Sequence, residues 1–306
     1  MSRKEAGETL LIAGAGSGLG LESAIYLAGR DYRVFGTVLN DGEEDALTAE
    51  VRRRRVEVEV LRLDITNEQL IRASVDTVMQ SAGRIDGLVI FAGLGLRGFF
   101  EDLDLSEIRQ VFEVNVFGTM ALLQAVIPHM RNARHGRIVL TTSIAGRMAS
   151  MSIGGYASSK FAMEGVGECL RQELWPFNIY VTLLEPALVF TPHFTVNRNR
   201  ARRAVDPASA YYRWFCQHEQ IVDRLLALNQ VTPADVAVRV WKILRARRPR
   251  LRYVVGGRAK MVLFLRRYTP GEWFESLYWG VVRRMVTQPR DPCTTLSPSA
   301  AETSER

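Results

Sequence analysis

Residues 10–22, "LLIAGAGSGLGLE", put four glycines between an apolar run and a helical pattern. Gly14, Gly18 and Gly20 are spaced G-x3-G-x-G. Glycine reaches positive φ and lets the backbone approach a ligand closely. A helix that starts at such a turn presents unpaired N–H groups and the positive end of its dipole, the ordinary geometry for a pyrophosphate. Gly14, Ser17, Gly18, Leu19 and Gly20 are therefore the first candidate binding residues. The alternative is a tight turn with no ligand.

The turn follows the first of several short apolar runs: "TLLIAG" from Thr9, "RVFGTV" from Arg33, "VEVEVLRL" from Val56, "IDGLVIFAG" from Ile85, "GRIVLTTS" from Gly136, "IYVTLLEP" from Ile179 and "LRYVVG" from Leu251. Helical patterns separate them. Strands alternating with helices imply β-α-β units and a parallel sheet. Several runs are apolar on both faces, as strands buried between two helix layers must be. The expected fold is α/β, a Rossmann-type, doubly wound, seven-stranded parallel sheet flanked by helices. Residues 1–287 read as one domain. Within it, 187–230 is a substrate lid and 257–287 an amphipathic C-terminal segment. Residues 288–306, rich in Ser, Thr and Pro, read as a disordered tail.

Three cysteines, Cys169, Cys216 and Cys293, match no metal or redox spacing, and their odd number argues against a disulfide framework. The N-terminus lacks the apolar core of a secretory signal, and no single apolar run reaches the roughly 18 residues of a membrane span. A cytoplasmic protein is the expectation. The formal net charge is +7, with basic clusters at Arg52–Arg55, Arg245–Arg252, Arg266–Arg267 and Arg283–Arg284. No nucleic-acid-binding signature accompanies them, and Arg52–Arg55 reads as a solvated helix end.

An acidic residue at the end of the second strand favours NAD and a basic one NADP. The segment "FGTVLNDGEED" carries no Arg or Lys, so it leans to NAD, with Asp41 lying far along the segment. Asp64, after the third strand, either accepts a hydrogen bond from an adenine amine or caps a helix.

Tyr156 and Lys160, in "YASSK", share a helix face. A neighbouring ammonium favours phenolate and brings a tyrosine toward the operating pH of a general acid/base. Ser143 ends the preceding strand, where its hydroxyl can meet a carbonyl oxygen. Asn115 sits in a helical pattern that asparagine does not favour.

These motifs resemble the short-chain dehydrogenase/reductase family over about residues 8 to 195. The resemblance implies a catalytic tetrad of Asn115, Ser143, Tyr156 and Lys160. It adds Ala92, Gly93, Pro186 and Thr191 to the cofactor contacts. It also implies hydride transfer on the pro-S face and a homodimer or homotetramer assembled through the helices of Asn115 and Tyr156. Ala13 stands where the family usually has Thr. Ile90 and Phe91 replace two asparagines, and Ala187 stands in place of Gly. "YRVFGTVLNDGEEDAL" and the Tyr156 segment look most like the hydroxysteroid and retinol dehydrogenase branch, which implies a lipophilic secondary alcohol or ketone. An acyl or sugar substrate is an alternative. So is a dinucleotide-binding sensor or scaffold without turnover.

Tyr211, Tyr212, Trp214 and Phe215 either line the substrate pocket or pack on the domain. His218 reads as polar surface, and His129 and His135 need no role. The segment from Ala259 can cover the pocket, pack on another subunit or make peripheral membrane contact.

Overall fold

The computed structural model describes residues 7–191, 198–228 and 231–287. The expected tail at 288–306 lies outside them, as do parts of the lid. Seven parallel strands form one sheet in the order β3-β2-β1-β4-β5-β6-β7. They are β1 (Thr9–Ala13), β2 (Arg33–Val38), β3 (Val58–Arg62), β4 (Gly87–Ile90), β5 (Gly136–Thr141), β6 (Ile179–Pro186) and β7 (Arg252–Val255).

Helices α1 (Gly18–Ala28), α2 (Asp41–Arg54), α3 (Glu68–Ala82), α4 (Leu105–Phe112), α5 (Thr119–Ala133), α6 (Gly154–Glu173) and α8 (Pro233–Arg245) cover the sheet. The helix α7 (Tyr212–Ala227) lies in the lid, and α9 (Gly257–Tyr268) and α10 (Gly271–Thr287) follow β7.

The pleat sorts each strand between two cores. Leu11 and Ala13 join Ile71, Val75, Leu122, Val126 and Met163 on one face. Leu10 and Ile12 join Leu27, Val236 and Val240 on the other. β6 is buried along its length, whereas β3, at the sheet edge, alternates and exposes Glu59.

Local signals set the helix ends. Asn40 caps α2 by accepting from the Glu43 N–H at 3.0 Å. Asp41, Glu43 and Glu44 fill the first turn and Arg52, Arg53 and Arg54 the last, which complements the dipole. The cap of α3 is Asn67, not Asp64. Asp64 accepts instead from the Thr66 N–H and hydroxyl at 2.9 and 2.8 Å.

The helix from Leu105 to Ala133 is continuous, through a π-helical stretch at Glu113–Gly118. It is long and apolar enough to cross a membrane by length and composition. No single run showed this, because Arg109 and Glu113 interrupt the pattern. It packs against α3 and α6 as a core helix of the domain. Among the cysteines, Cys169 is free and exposed.

Candidate active site

The glycine turn is built as a cradle. Gly14 has φ +81°, and a Cβ there would lie 2.6 Å from the Ala92 nitrogen. At Gly20 a Cβ would lie 1.8 Å from the Gly14 carbonyl oxygen. Gly18 has φ +52° and faces Thr191 from the far side, with 3.5 Å between its would-be Cβ and the Thr191 Cβ. Ser17 holds the N-cap position of α1 but its side chain caps nothing, and no acidic residue occupies the first turn. The helix N-terminus is thus open to an anion. A cavity of about 190 Å³ lies over it, bordered by Gly14, Ser17, Gly18, Leu19, Gly20, Ala92, Gly93, Pro186 and Thr191. These residues fit a dinucleotide. Asp64 does not border the cavity.

Glu43 does border it. One turn into α2, its carboxylate accepts from the Leu39 N–H at 2.8 Å. It also crowds Gly16, where a Cβ would lie 2.6 Å from Oε2. The sequence put attention on the strand end; only the fold brings Glu43 back over it.

Ser143, Tyr156 and Lys160 border the same cavity. Ser143 leaves β5 in extended conformation, and its hydroxyl accepts from the Ala145 N–H at 3.1 Å. Lys160 donates to the Thr141 carbonyl at 3.0 Å, and its Nζ lies 5.6 Å from the Tyr156 ring centre. Burial pushes the Tyr156 hydroxyl up to about 12, against a smaller lowering by its hydrogen bond with Ser143. Burial also pulls the Lys160 ammonium down to about 8. Loss of water sets the direction of the Tyr156 shift, so the expected lowering by Lys160 is absent here.

Asn115 lies in the π-helical stretch, buried, a local distortion common at functional sites. Its amide accepts from the Leu94 N–H at 2.7 Å and donates to the Leu94 carbonyl and the Ser159 hydroxyl at 2.9 and 3.0 Å. It thus ties the loop after β4 to α6. Gly93 sits close to both, since a Cβ there would lie 3.2 Å from Asn115 Oδ1 and 3.6 Å from Lys160 Nζ. Phe91 and Ala92, in the departed "IFAG" segment, both donate their N–H to the Ala13 carbonyl, at 2.8 and 3.0 Å. Main-chain bonds hold the loop without the two asparagines.

A second cavity, about 230 Å³, shares Ser143, Tyr156 and Ala187 with the first. Ile144, Met148, Leu188, Val222 and Leu225 are among its apolar wall residues. A third, about 180 Å³, shares Met148, Leu188 and Leu225 and runs on to Val262 and Leu263 of α9. Together the two reach the low end of ordinary ligand pockets, roughly 300–1,000 Å³.

The sequence model of the short chain dehydrogenase family matches residues 8–202. This chain is a short-chain dehydrogenase. It is 32% identical over 249 residues to a 3-ketodihydrosphingosine reductase of Bacteroides thetaiotaomicron, covering 81% of this chain and 88% of the relative. It is 33% identical over 275 residues to retinol dehydrogenase 8 of Bos taurus, covering 87% of each. The crystal structure of a short-chain dehydrogenase from Streptomyces avermitilis superposes with a TM-score of 0.73 at 30% identity, covering 91% of this chain and 98% of that one. The dehydrogenase is an oxidoreductase acting on CH–OH groups, with a fold that binds NAD or NADP.

The structure places the lid residues and corrects the reading of His218. In this dehydrogenase Phe215 is buried with Leu96, Leu103 and Val111, and Tyr211 stacks on Phe99 at 5.0 Å. The four lid aromatics do not border the cavity of Tyr156; Trp214 borders a separate outer one. His218 is not free surface. It borders the inner cavity, Nδ1 lies 2.7 Å from the Ser152 hydroxyl, and burial pulls it down to about 4. The C-terminal segment covers the pocket: Tyr278 borders the inner cavity and donates to the Ser150 hydroxyl at 3.1 Å.

Behind Ser143, the dehydrogenase buries Glu185 against Arg147 and Arg252, at 3.3 and 3.2 Å. Burial and the neighbouring Glu164 push it from 4.5 up to about 7, despite both arginines. The folded state then holds the proton more tightly than the unfolded one. Its stabilising contribution is full below about pH 4.5 and is lost as pH rises through about 7. The expected loss is roughly 1–2 kcal/mol after screening. Urea midpoints at pH 5 and pH 8 measure it. Glu185→Gln should shrink the difference between them; an unchanged difference contradicts the assignment.

Proposed function

We propose that this dehydrogenase moves hydride between NAD and the carbon of a lipophilic secondary alcohol or ketone, steroid-, retinoid- or lipid-like. The observation that carries the reading is the sharing of Ser143 and Tyr156 by the cavity over the glycine turn and an apolar cavity. Retinoid and sphingoid relatives support the substrate class.

In ketone reduction, Tyr156 gives its proton to the carbonyl oxygen as hydride reaches the carbon. A hydroxyl titrating near 12 is protonated at neutral pH, which suits the acid role. Ser143 holds the same oxygen. An ammonium has three donors; Thr141 takes one from Lys160, and the others serve Tyr156 and the ribose. Lys160 returns the proton to Tyr156. The Asn115 side chain is engaged by Leu94 and Ser159, so a relay water would meet its main chain. The bound nicotinamide supplies or accepts the hydride.

Glu43 supports NAD over NADP, since a carboxylate accepts from a ribose hydroxyl and repels a 2′-phosphate. The main-chain bonds of Phe91 and Ala92 to Ala13 support a loop that holds its shape without the two asparagines, which favours turnover over a scaffold role. Exposed Phe117, Met120 and Phe161, on the helices of Asn115 and Tyr156, support a homo-oligomer, which sedimentation reads. Exposed Phe264, Tyr268, Trp273 and Trp279, beside Arg266 and Arg267, support peripheral membrane contact, which co-flotation with anionic vesicles reads.

Methyl ketones of increasing chain length test the substrate class, followed by NADH absorbance. kcat/KM should rise about tenfold or more from the shortest to the longest, as successive methylenes leave water. A flat or falling series contradicts a lipophilic site.

A further inference from the structure

The inner cavity has one charged patch in an otherwise largely apolar wall. Arg97, Arg198, Asn199 and His218 border it there. The main chain fixes the patch. Arg97 donates its N–H to the Asn199 carbonyl at 3.0 Å, and its own carbonyl accepts from the Ala201 N–H at 2.8 Å.

Glu219, itself buried, gathers three arginines. It accepts from Arg97 Nε at 2.6 Å, Arg198 Nη1 at 3.1 Å and Arg200 Nε at 3.0 Å. Arg198 also reaches Asp223 at 2.5 Å. Among the described residues, three guanidinium groups thus meet two carboxylates. His218, pulled down to about 4, adds no charge at neutral pH.

Arg97 is itself buried, and its Nη2 has no hydrogen-bond partner. A buried donor left unmade is costly, the more so on a charged group. Arg97 also borders the cavity, so a group that enters it meets this guanidinium.

We propose that Arg97 receives an anionic oxygen group, a carboxylate, sulfate or phosphate ester, carried by the lipophilic substrate whose carbonyl or hydroxyl meets Tyr156. This rests on the functional reading above and narrows it to amphiphilic anions. A buried guanidinium in a largely apolar wall favours an oxyanion over a neutral hydroxyl.

Dodecanoate and dodecanol serve as matched probes, titrated by thermal shift with and without NADH. The wild type should bind dodecanoate at least about tenfold more tightly. Arg97→Leu should abolish that preference and leave dodecanol within about twofold. Arg131→Gln, which removes an exposed arginine on α5, should change neither. Equal affinities in the wild type, or equal losses in the two variants, overturn the proposal. Should Arg97→Leu not fold, the wild-type comparison decides. Dodecyl sulfate and dodecyl phosphate distinguish the oxyanions. NADH fluorescence on the same samples reads the functional proposal separately: no NADH binding with the dodecanoate preference intact sinks that reading and keeps this one.

Discussion

Tyr156→Phe lowers turnover by at least about a hundredfold and leaves NADH affinity unchanged. The substitution removes one oxygen. The ring keeps its place on α6, and Lys160 keeps its bond to the Thr141 carbonyl. Ser143 keeps the Ala145 N–H. The hydroxyl's hydrogen bond is to Ser143, so stability should move by only about 1 kcal/mol. What disappears is the proton for the substrate oxygen. Stopped-flow turnover and an NADH titration on the same variant check both halves. Retained turnover would mean that another group supplies the proton.

Gly20→Ala has the second large effect, and it acts on the fold and the cradle together. The new Cβ would lie 1.8 Å from the Gly14 carbonyl oxygen and 3.3 Å from the Ala15 Cα. These are main-chain atoms, so no side chain can swing away. Either α1 lifts from the turn or the turn opens. The expected cost is about 3 kcal/mol or more, at the high end for a single substitution. NADH affinity should fall at least about tenfold, because the N–H groups that face the pyrophosphate move with the helix. Chemical denaturation and an NADH titration measure the two. A variant that matches the wild type in both contradicts the turn described here.

The sheet was legible because its strands are buried on both faces. β2 spans Arg33–Val38 and β6 spans Ile179–Pro186, the bounds the apolar runs imply. β3 begins at Val58 rather than Val56, since an alternating edge strand looks the same two residues earlier. Gly14, Gly18, Gly20, Ser143, Tyr156 and Lys160 were legible because each sits at a strand end or on the one helix face that spacing defines.

The wall of the substrate cavity was not. Which residues of α7 point inward depends on how that helix docks, and docking turns Val222 and Leu225 toward the cavity while sending Phe215 into the core. Glu43 escaped because it returns to the strand end from one turn inside α2. The pairing of Arg97 with Glu219 spans 122 residues, a separation that no local pattern carries. The pKa of Tyr156 went the other way from expectation because spacing reports a neighbouring charge but not the loss of water around it.

The central claim is hydride chemistry on a dinucleotide held by the Gly14–Gly20 turn and Glu43. Fluorescence titration of the purified chain with NADH and NADPH tests it most directly. The account predicts saturable NADH binding at least about tenfold tighter than NADPH, with Glu43→Gln narrowing that gap. Binding of neither dinucleotide contradicts the account.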